Sequence, residues 1–188
     1  LNIVGISYND YNNQPYPTIF YEYFPNRSLS HLISTKHTFT PTQKYVILLG
    51  IASGMNHAYK NCLIHGNLDT SCVYLDDNLR PKIFGCKMAD TNNNTAIKQD
   101  DILGYGQIAL QLFQLDDKEI FSEWKQKFVS SCTTKYRLQR PEFGQILNDL
   151  LSNRAEFGKI DEGEVTTFIK LNERHANWHL NQVKEDAE

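Results

Sequence analysis

The chemistry-bearing residues of this sequence concentrate between Cys62 and Lys87. Ile64-His65-Gly66-Asn67-Leu68-Asp69-Thr70-Ser71-Cys72-Val73 brings an imidazole, an amide, a carboxylate and a thiol into one short run, and Gly85-Cys86-Lys87 follows soon after. His65 next to cysteines suggests an imidazole-activated thiol. No cysteine stands at a spacing that pairs it with a base, so a Cys/His protease is unsupported. Cys62, His65, Cys72 and Cys86 could be assembled into a zinc site, but their spacing matches no ligand pattern. Free cysteine more often packs as a small buried hydrophobe. Asp76-Asp77 and Asp116-Asp117-Lys118-Glu119 offer neighbouring carboxylates. Acid–base work would require burial, and their polar surroundings predict solvated turns. The one GxG, Gly104-Tyr105-Gly106, lies within an apolar run and reads as packing, not phosphate binding.

The elements that must position these groups can be read from periodicity and punctuation. Residues 3–8 and 18–24 are β-branched and aromatic-rich, and the polar, Pro-containing stretch between them predicts an antiparallel pair. Pro25-Asn26-Arg27 ends the second strand, and Ser28 can cap a short helix through Ile33. Thr40-Pro41-Thr42-Gln43 carries a cap, a first-turn proline and a capping-box glutamine. From there Tyr45, Leu48, Leu49, Ala52, Met55 and Tyr59 recur at helical spacing to about Lys60. Val73–Leu75 and Pro81–Ile83 flank Asp76-Asp77-Asn78 and predict a hairpin.

Residues 90–100 read as a polar loop. Asp101–Phe113 reads as a helix with Ile102, Tyr105, Ile108 and Leu112 on one stripe, and its apolar content exceeds one face, which predicts a buried central helix. Phe121–Cys132 is amphipathic, and Pro141 opens a helix with Phe143, Ile146, Leu147 and Leu150 facing inward. A further helix is expected from Glu162, its Val165, Phe168 and Ile169 packing on the same domain, with a frayed charged end.

The 188 residues carry a net charge of −3, which disfavours a protein built to neutralise nucleic acid or anionic lipid. No apolar run approaches a membrane span, and the beginning shows no signal-peptide pattern. Without CxxC pairs, a reduced, cytoplasmic setting is expected. On that setting, Asn26-Arg27-Ser28 and Asn93-Asn94-Thr95 are chance matches to the glycosylation pattern. Leu1-Asn2-Ile3-Val4 reads as mid-domain sequence, so a segment upstream is expected.

Several landmarks fall in one order. Tyr23-Phe24-Pro25-Asn26-Arg27-Ser28-Leu29 resembles EYMPNGSL, Ile51-Ala52-Ser53-Gly54-Met55 resembles IAxGL, and residues 64–73 resemble IHRDLKPSNV. Pro81-Lys82-Ile83 matches the PKI before a DFG motif, Asp101-Ile102-Leu103-Gly104-Tyr105-Gly106 resembles DVYSFG, and Arg140-Pro141-Glu142-Phe143 resembles RPxF. Together these resemble the protein kinase superfamily, of the tyrosine-kinase-like type. The resemblance covers roughly residues 1–151 and implies a mainly α (α+β) fold. That fold would be a kinase C-lobe preceded by the last two strands of the N-lobe and the hinge, with 152–188 as a helical tail.

What the resemblance implies about chemistry is mostly loss. Phosphoryl transfer relies on positioning, a proton acceptor and divalent cations held by oxygen ligands. The base position is Asn67, an amide that accepts no proton near neutrality, and a missing general base costs about 10² to 10⁴ in rate. The loop lysine position is Asp69, the metal-binding asparagine position is Cys72, and the DFG aspartate position is Gly85. Lys87 could place a cation nearby but reads as a solvated loop lysine.

Gly85 to Asp101 leaves no room for a full activation segment, so Arg140 must find a partner other than the APE glutamate. By the same resemblance Tyr21 is the gatekeeper, Glu22 and Phe24 are hinge residues, and Tyr74 lies beneath the adenine position, where it could stack or fill the pocket. Filling is favoured. His65 is implied to be structural, its backbone held by Asp101.

The expected function is therefore a pseudokinase-type interaction or regulatory module that binds other proteins, without cofactor or metal. ATP and magnesium enter only under an alternative, a divergent kinase whose N-lobe lies outside this chain. A non-functional kinase fragment is a further alternative. Self-association through exposed N-terminal strands is expected if nothing covers them.

Overall fold

The computed structural model describes residues 3–89, 94–115 and 121–185, with side chains described for all of these except 94 and 174–185. The fold is mainly α-helical with small antiparallel sheets. Strands β1 (Ile3–Ser7) and β2 (Thr18–Tyr21) form the first pair, shorter than the expected 3–8 and 18–24. Glu22–Phe24 leaves the ladder because Phe24 turns inward, where it is buried.

Helix α1 (Leu29–Ser34) starts at Ser28, whose hydroxyl accepts the His31 N–H. Helix α2 (Pro41–Lys60) starts at Thr40, and both capping-box bonds form: Gln43 N–H to Thr40 Oγ1 and Thr40 N–H to Gln43 Oε1. Every residue from Lys44 to Leu49 is buried, so this stretch of α2 is surrounded by other elements on all sides, while Gly54, His57 and Lys60 in its second half are exposed.

Strand β3 (Leu63–Ile64) pairs with β6 (Lys87–Met88), a contact the sequence reading did not anticipate. Between them, β4 (Val73–Leu75) and β5 (Pro81–Ile83) make the expected hairpin. Asp76 closes its turn by accepting the N–H groups of Asn78 and Arg80, while Asp116–Glu119 lie outside the described residues.

Helix α3 (Asn94–Gln114) is longer than expected. The polar stretch from residue 94 to 100 is helical, not loop, because tertiary contacts hold it. Ile97 packs beside Gly66, and the Gln99 carbonyl receives the Arg140 guanidinium. Residues 90–93 of that stretch, with the Asn93 glycosylation match, lie outside the described residues. Ile102, Tyr105, Ile108, Ala109 and Leu112 are fully buried, as befits a central helix. The glycines around Tyr105 are spacers. A Cβ on Gly104 would stand 1.9 Å from the Leu68 carbonyl oxygen, and one on Gly106 would stand 2.6 Å from Cys132 Cβ.

Helix α4 (Glu123–Thr133) is capped by Ser122. Helix α5 (Phe143–Ser152) begins two residues after Pro141, because Glu142 acts as its cap. Short 3₁₀ turns occupy Arg137–Gln139 and Arg154–Phe157. Helix α6 (Glu162–Glu185) buries Val165 and Phe168 in the same core cluster as α2 and α3, with Ile169 packed against it.

The tail is thus integral to the core. Phe168→Ala should destabilise the fold by about 3–5 kcal/mol, the usual cost of emptying a buried phenylalanine site. Urea denaturation followed by far-UV circular dichroism measures it, and a loss below 1 kcal/mol would mean that α6 is peripheral.

Candidate functional site

The site is organised by a carboxylate at zero exposure. Asp101, on the second turn of the described part of α3, accepts the His65 N–H on Oδ2 (3.0 Å) and the Gly66 N–H on Oδ1 (2.7 Å). The Tyr59 hydroxyl, from the end of α2, lies 3.0 Å from Oδ2 and 3.1 Å from the Lys98 carbonyl. Burial, then the Asp101 charge, pushes the Tyr59 phenol far above its ordinary pKa, so the hydroxyl stays protonated as a donor. One buried carboxyl group therefore joins α2, α3 and the loop after β3.

His65 extends this lock sideways. Its Nδ1 receives the Asn67 N–H at 3.2 Å, which assigns the ring proton to Nε2, and Nε2 donates to the Phe84 carbonyl at 2.6 Å. The β3–β6 pair brings the 84–86 segment alongside. A Cβ at Gly85 would stand 3.2 Å from His65 Nε2, and Gly85 has φ +96°, so the position suits only glycine. The imidazole is committed to structure on both nitrogens.

The remaining loop groups are turned onto one another. Asp69 Oδ1 accepts from the Ser71 hydroxyl (2.5 Å), the Ser71 N–H (2.7 Å) and the Cys72 N–H (3.2 Å). Burial works to raise the Asp69 pKa, but these hydrogen bonds outweigh it and hold the carboxyl below its ordinary value. The Cys72 thiol lies 3.0 Å from the Asp69 carbonyl, and burial is the main reason its pKa is pushed up to about 11. Asn67 is exposed. Lys87 is an exposed strand residue whose Nζ reaches toward Gly66.

An aromatic cluster closes the other side. Phe84 stands at the centre, its ring 4.6 Å from Tyr74, 5.3 Å from Tyr21 and 5.5 Å from Phe24, and Phe24 is 5.8 Å from Tyr74. Backbone bonds stitch the segment after β2 to the hairpin: Leu75 N–H to Arg27 carbonyl, Ser30 N–H to Thr70 carbonyl, and a bridge from Ser28 to Tyr74. Tyr21, Phe24 and Tyr74, singled out separately in the sequence, are thus brought together by Phe84. Glu22, between them in sequence, is half-buried.

Sequence reasoning passed over Phe84. The available signal was a large aromatic placed directly before Gly85, in a segment otherwise of small or polar residues. Arg140 lies on the far side of α3, buried. Its Nη1 donates to the Gln99 carbonyl at 2.6 Å and its Nε to the Thr134 carbonyl at 3.0 Å, and Asp100 is 3.7 Å away. These are the partners it has in place of the glutamate that the resemblance would assign.

Comparison with known proteins points in one direction. The chain is 35% identical over 103 residues to cysteine-rich receptor-like protein kinase 1 of Arabidopsis thaliana, 48% of this chain and 16% of that protein. It is 29% identical over 145 residues to cysteine-rich receptor-like protein kinase 42, covering 71% of this chain and 22% of that protein. Receptor-like protein kinase 7 is 31% identical over 172 residues, 85% of this chain and 16% of its own length. The similarity is to protein kinases. The chain spans less than a quarter of the length of these relatives. No family model matches it.

Set against the needs of a kinase site, the donor set does not fit a hard divalent cation. The two positions to which the resemblance would assign oxygen ligands hold the Cys72 thiol, turned onto Asp69, and Gly85. Among the described residues, no group of three or more His, Cys, Asp or Glu side chains is placed to hold a metal ion, and the four cysteines are free thiols.

Asp101→Ala leaves the His65 and Gly66 N–H groups without their acceptor, and the fold should lose on the order of 3 kcal/mol. Asp101→Asn should recover part of this, and the urea midpoints of both variants measure it. The Cys72 pKa near 11 predicts slow alkylation at pH 7.5, well behind exposed Cys62. Because this folded pKa is raised from 9.0, the contribution of the protonated thiol to stability is complete below about pH 9 and should be lost as pH rises through about 11. Mass-spectrometric mapping of iodoacetamide adducts checks the first statement, and the pH dependence of wild type against Cys72→Ser checks the second.

Proposed function

We propose that this chain is a protein-kinase-like domain of the pseudokinase kind, a scaffold that binds other proteins and transfers no phosphate. The observation that carries the reading is the division within the site. The backbone lock of Asp101 on His65 and Gly66 is intact, while the positions for proton transfer and metal binding hold Asn67, Cys72 and Gly85. A loop kept in shape without its chemistry supports a role in presenting a surface.

The aromatic cluster supports the same reading for nucleotide. On the resemblance, Tyr21, Phe24 and Tyr74 line the adenine position. Here these rings pack on Phe84, and a purine would have to part them. Aromatic pairs contribute about 0.5–1.5 kcal/mol each beyond the area they bury, so opening the cluster opposes binding. Asp69 adds negative charge where a transferring phosphate would need positive, and its hydrogen bonds keep it ionised.

Among the described residues no helix is long and apolar enough to cross a membrane. The similarity to receptor-like protein kinases keeps open a second reading, a divergent kinase completed by a further lobe.

Thermal unfolding with ATP and magnesium separates the two. The expected result is no shift in midpoint at millimolar nucleotide and no transfer of labelled phosphate to a protein acceptor. A metal-dependent shift of several degrees, together with transfer that Asn67→Ala abolishes, would overturn the pseudokinase reading.

A further inference from the structure

A pair of opposite charges lies on the far side of α3 from the loop that Asp101 holds. Between α4, the 3₁₀ turn Arg137–Gln139 and α5 is a cleft of about 450 Å³, walled by Phe128, Leu138, Pro141 and Ile146 and carrying Arg140 and Asp149. Phe128 and Ile146 are buried and Leu138 is 85% exposed, so the apolar wall runs from the core to the rim.

Neutral groups fix both charges in place. Arg140 is 7% exposed and gives Nη1 and Nε to the carbonyls of Gln99 and Thr134. Asp149 Oδ1 accepts the Trp124 Nε1–H at 3.1 Å and the Asn153 side-chain amide at 2.7 Å. Neither charge has a counterion to itself. Asp100, 3.7 Å from Arg140, is held closer by Arg137, at 3.1 Å, and Arg140 and Asp149 are not ion-paired with each other. Among the described residues no hydrogen bond engages Arg140 Nη2 or Asp149 Oδ2, so each group keeps one polar atom unused. The two are neighbours as well. Burial does most to push the Cys132 thiol up to about 12, and of the two charges Asp149 adds to this while Arg140 opposes it, so one sulfur atom feels both.

We infer that this cleft binds a free α-amino acid with an apolar side chain, its carboxylate on Arg140 and its ammonium on Asp149. The paired charges select a zwitterion. A simple anion would meet Asp149, and a simple cation would meet Arg140. An uncharged apolar molecule would strip water from both groups and return no hydrogen bond. A peptide end carries one of the two charges and leaves the other unanswered. The apolar side chain then lies along Phe128, Ile146 and Leu138, in a volume ordinary for a small-molecule site. Because both charged groups are already oriented, little ordering opposes binding. The site is independent of the reading given above for nucleotide and phosphate transfer.

Isothermal titration calorimetry of the full chain with L-leucine and L-phenylalanine tests this. Saturable binding is expected for at least one of them in the millimolar range or tighter. N-acetyl-leucine, which lacks the ammonium, and leucinamide, which lacks the carboxylate, should each bind about tenfold or more weakly, as for loss of one charged hydrogen bond. Asp149→Asn should weaken L-leucine binding to a similar degree, with far-UV circular dichroism showing whether the fold is kept. The analogues decide the matter on the unaltered protein if that variant fails to fold. The inference is overturned by the absence of binding for both amino acids, or by analogues that bind as well as L-leucine.

Discussion

The structure depends on one buried carboxylate. Asp101 is fully enclosed and survives as an acceptor because two backbone N–H groups and a phenol are aimed at it. Ionised groups are costly to bury unless every lone pair is used, so the loop after β3 has little freedom once α3 is in place. From that constraint follow the orientation of His65, the approach of the Phe84 carbonyl, and the requirement for glycine at Gly85. Gly104 serves the same joint by letting α3 approach the Leu68 carbonyl. The loop is held in place by these buried hydrogen bonds.

Within that frame the side chains that could react have been turned to structural use. Asp69 caps the turn that contains Ser71 and Cys72, and the Cys72 thiol returns the contact to the Asp69 carbonyl. A carboxylate held by three donors is poorly placed to act as a base, and a buried protonated thiol is a poor nucleophile and a poor ligand. The aromatic rings on the other side join the segment after β2 to the β4–β5 hairpin, with Phe24 buried and Tyr21 at the exposed edge.

Burial is distributed unevenly along the chain. α2, α3 and the inward faces of α4 to α6 share one continuous apolar cluster, joined by buried phenols whose hydroxyls reach backbone carbonyls, as Tyr105 does at Leu48. The N-terminal hairpin lies outside this cluster and meets the body at the Tyr21–Phe84 ring contact. The helical body and the hairpin therefore belong to different stability regimes, and a change in the strands need not be felt in the core.

The sequence determined the elements whose signals are local. The caps at Ser28 and Thr40, the α2 period and the hairpin around Asp76 were legible because each depends on residues within a turn or two of one another. The order of short motifs likewise pointed to the kinase resemblance, and it was that resemblance that singled out Asn67, Cys72 and Gly85. Tertiary structure decided what depends on partners distant in sequence. Residues 94–100 are helical because Gly66 and Arg140 meet them, β3 and β6 are strands only through each other, and Phe84 matters only because three other rings converge on it. A sequence window records a residue's own preference, while a buried hydrogen bond or ring contact is set by whatever the fold brings opposite, and no local pattern encodes that.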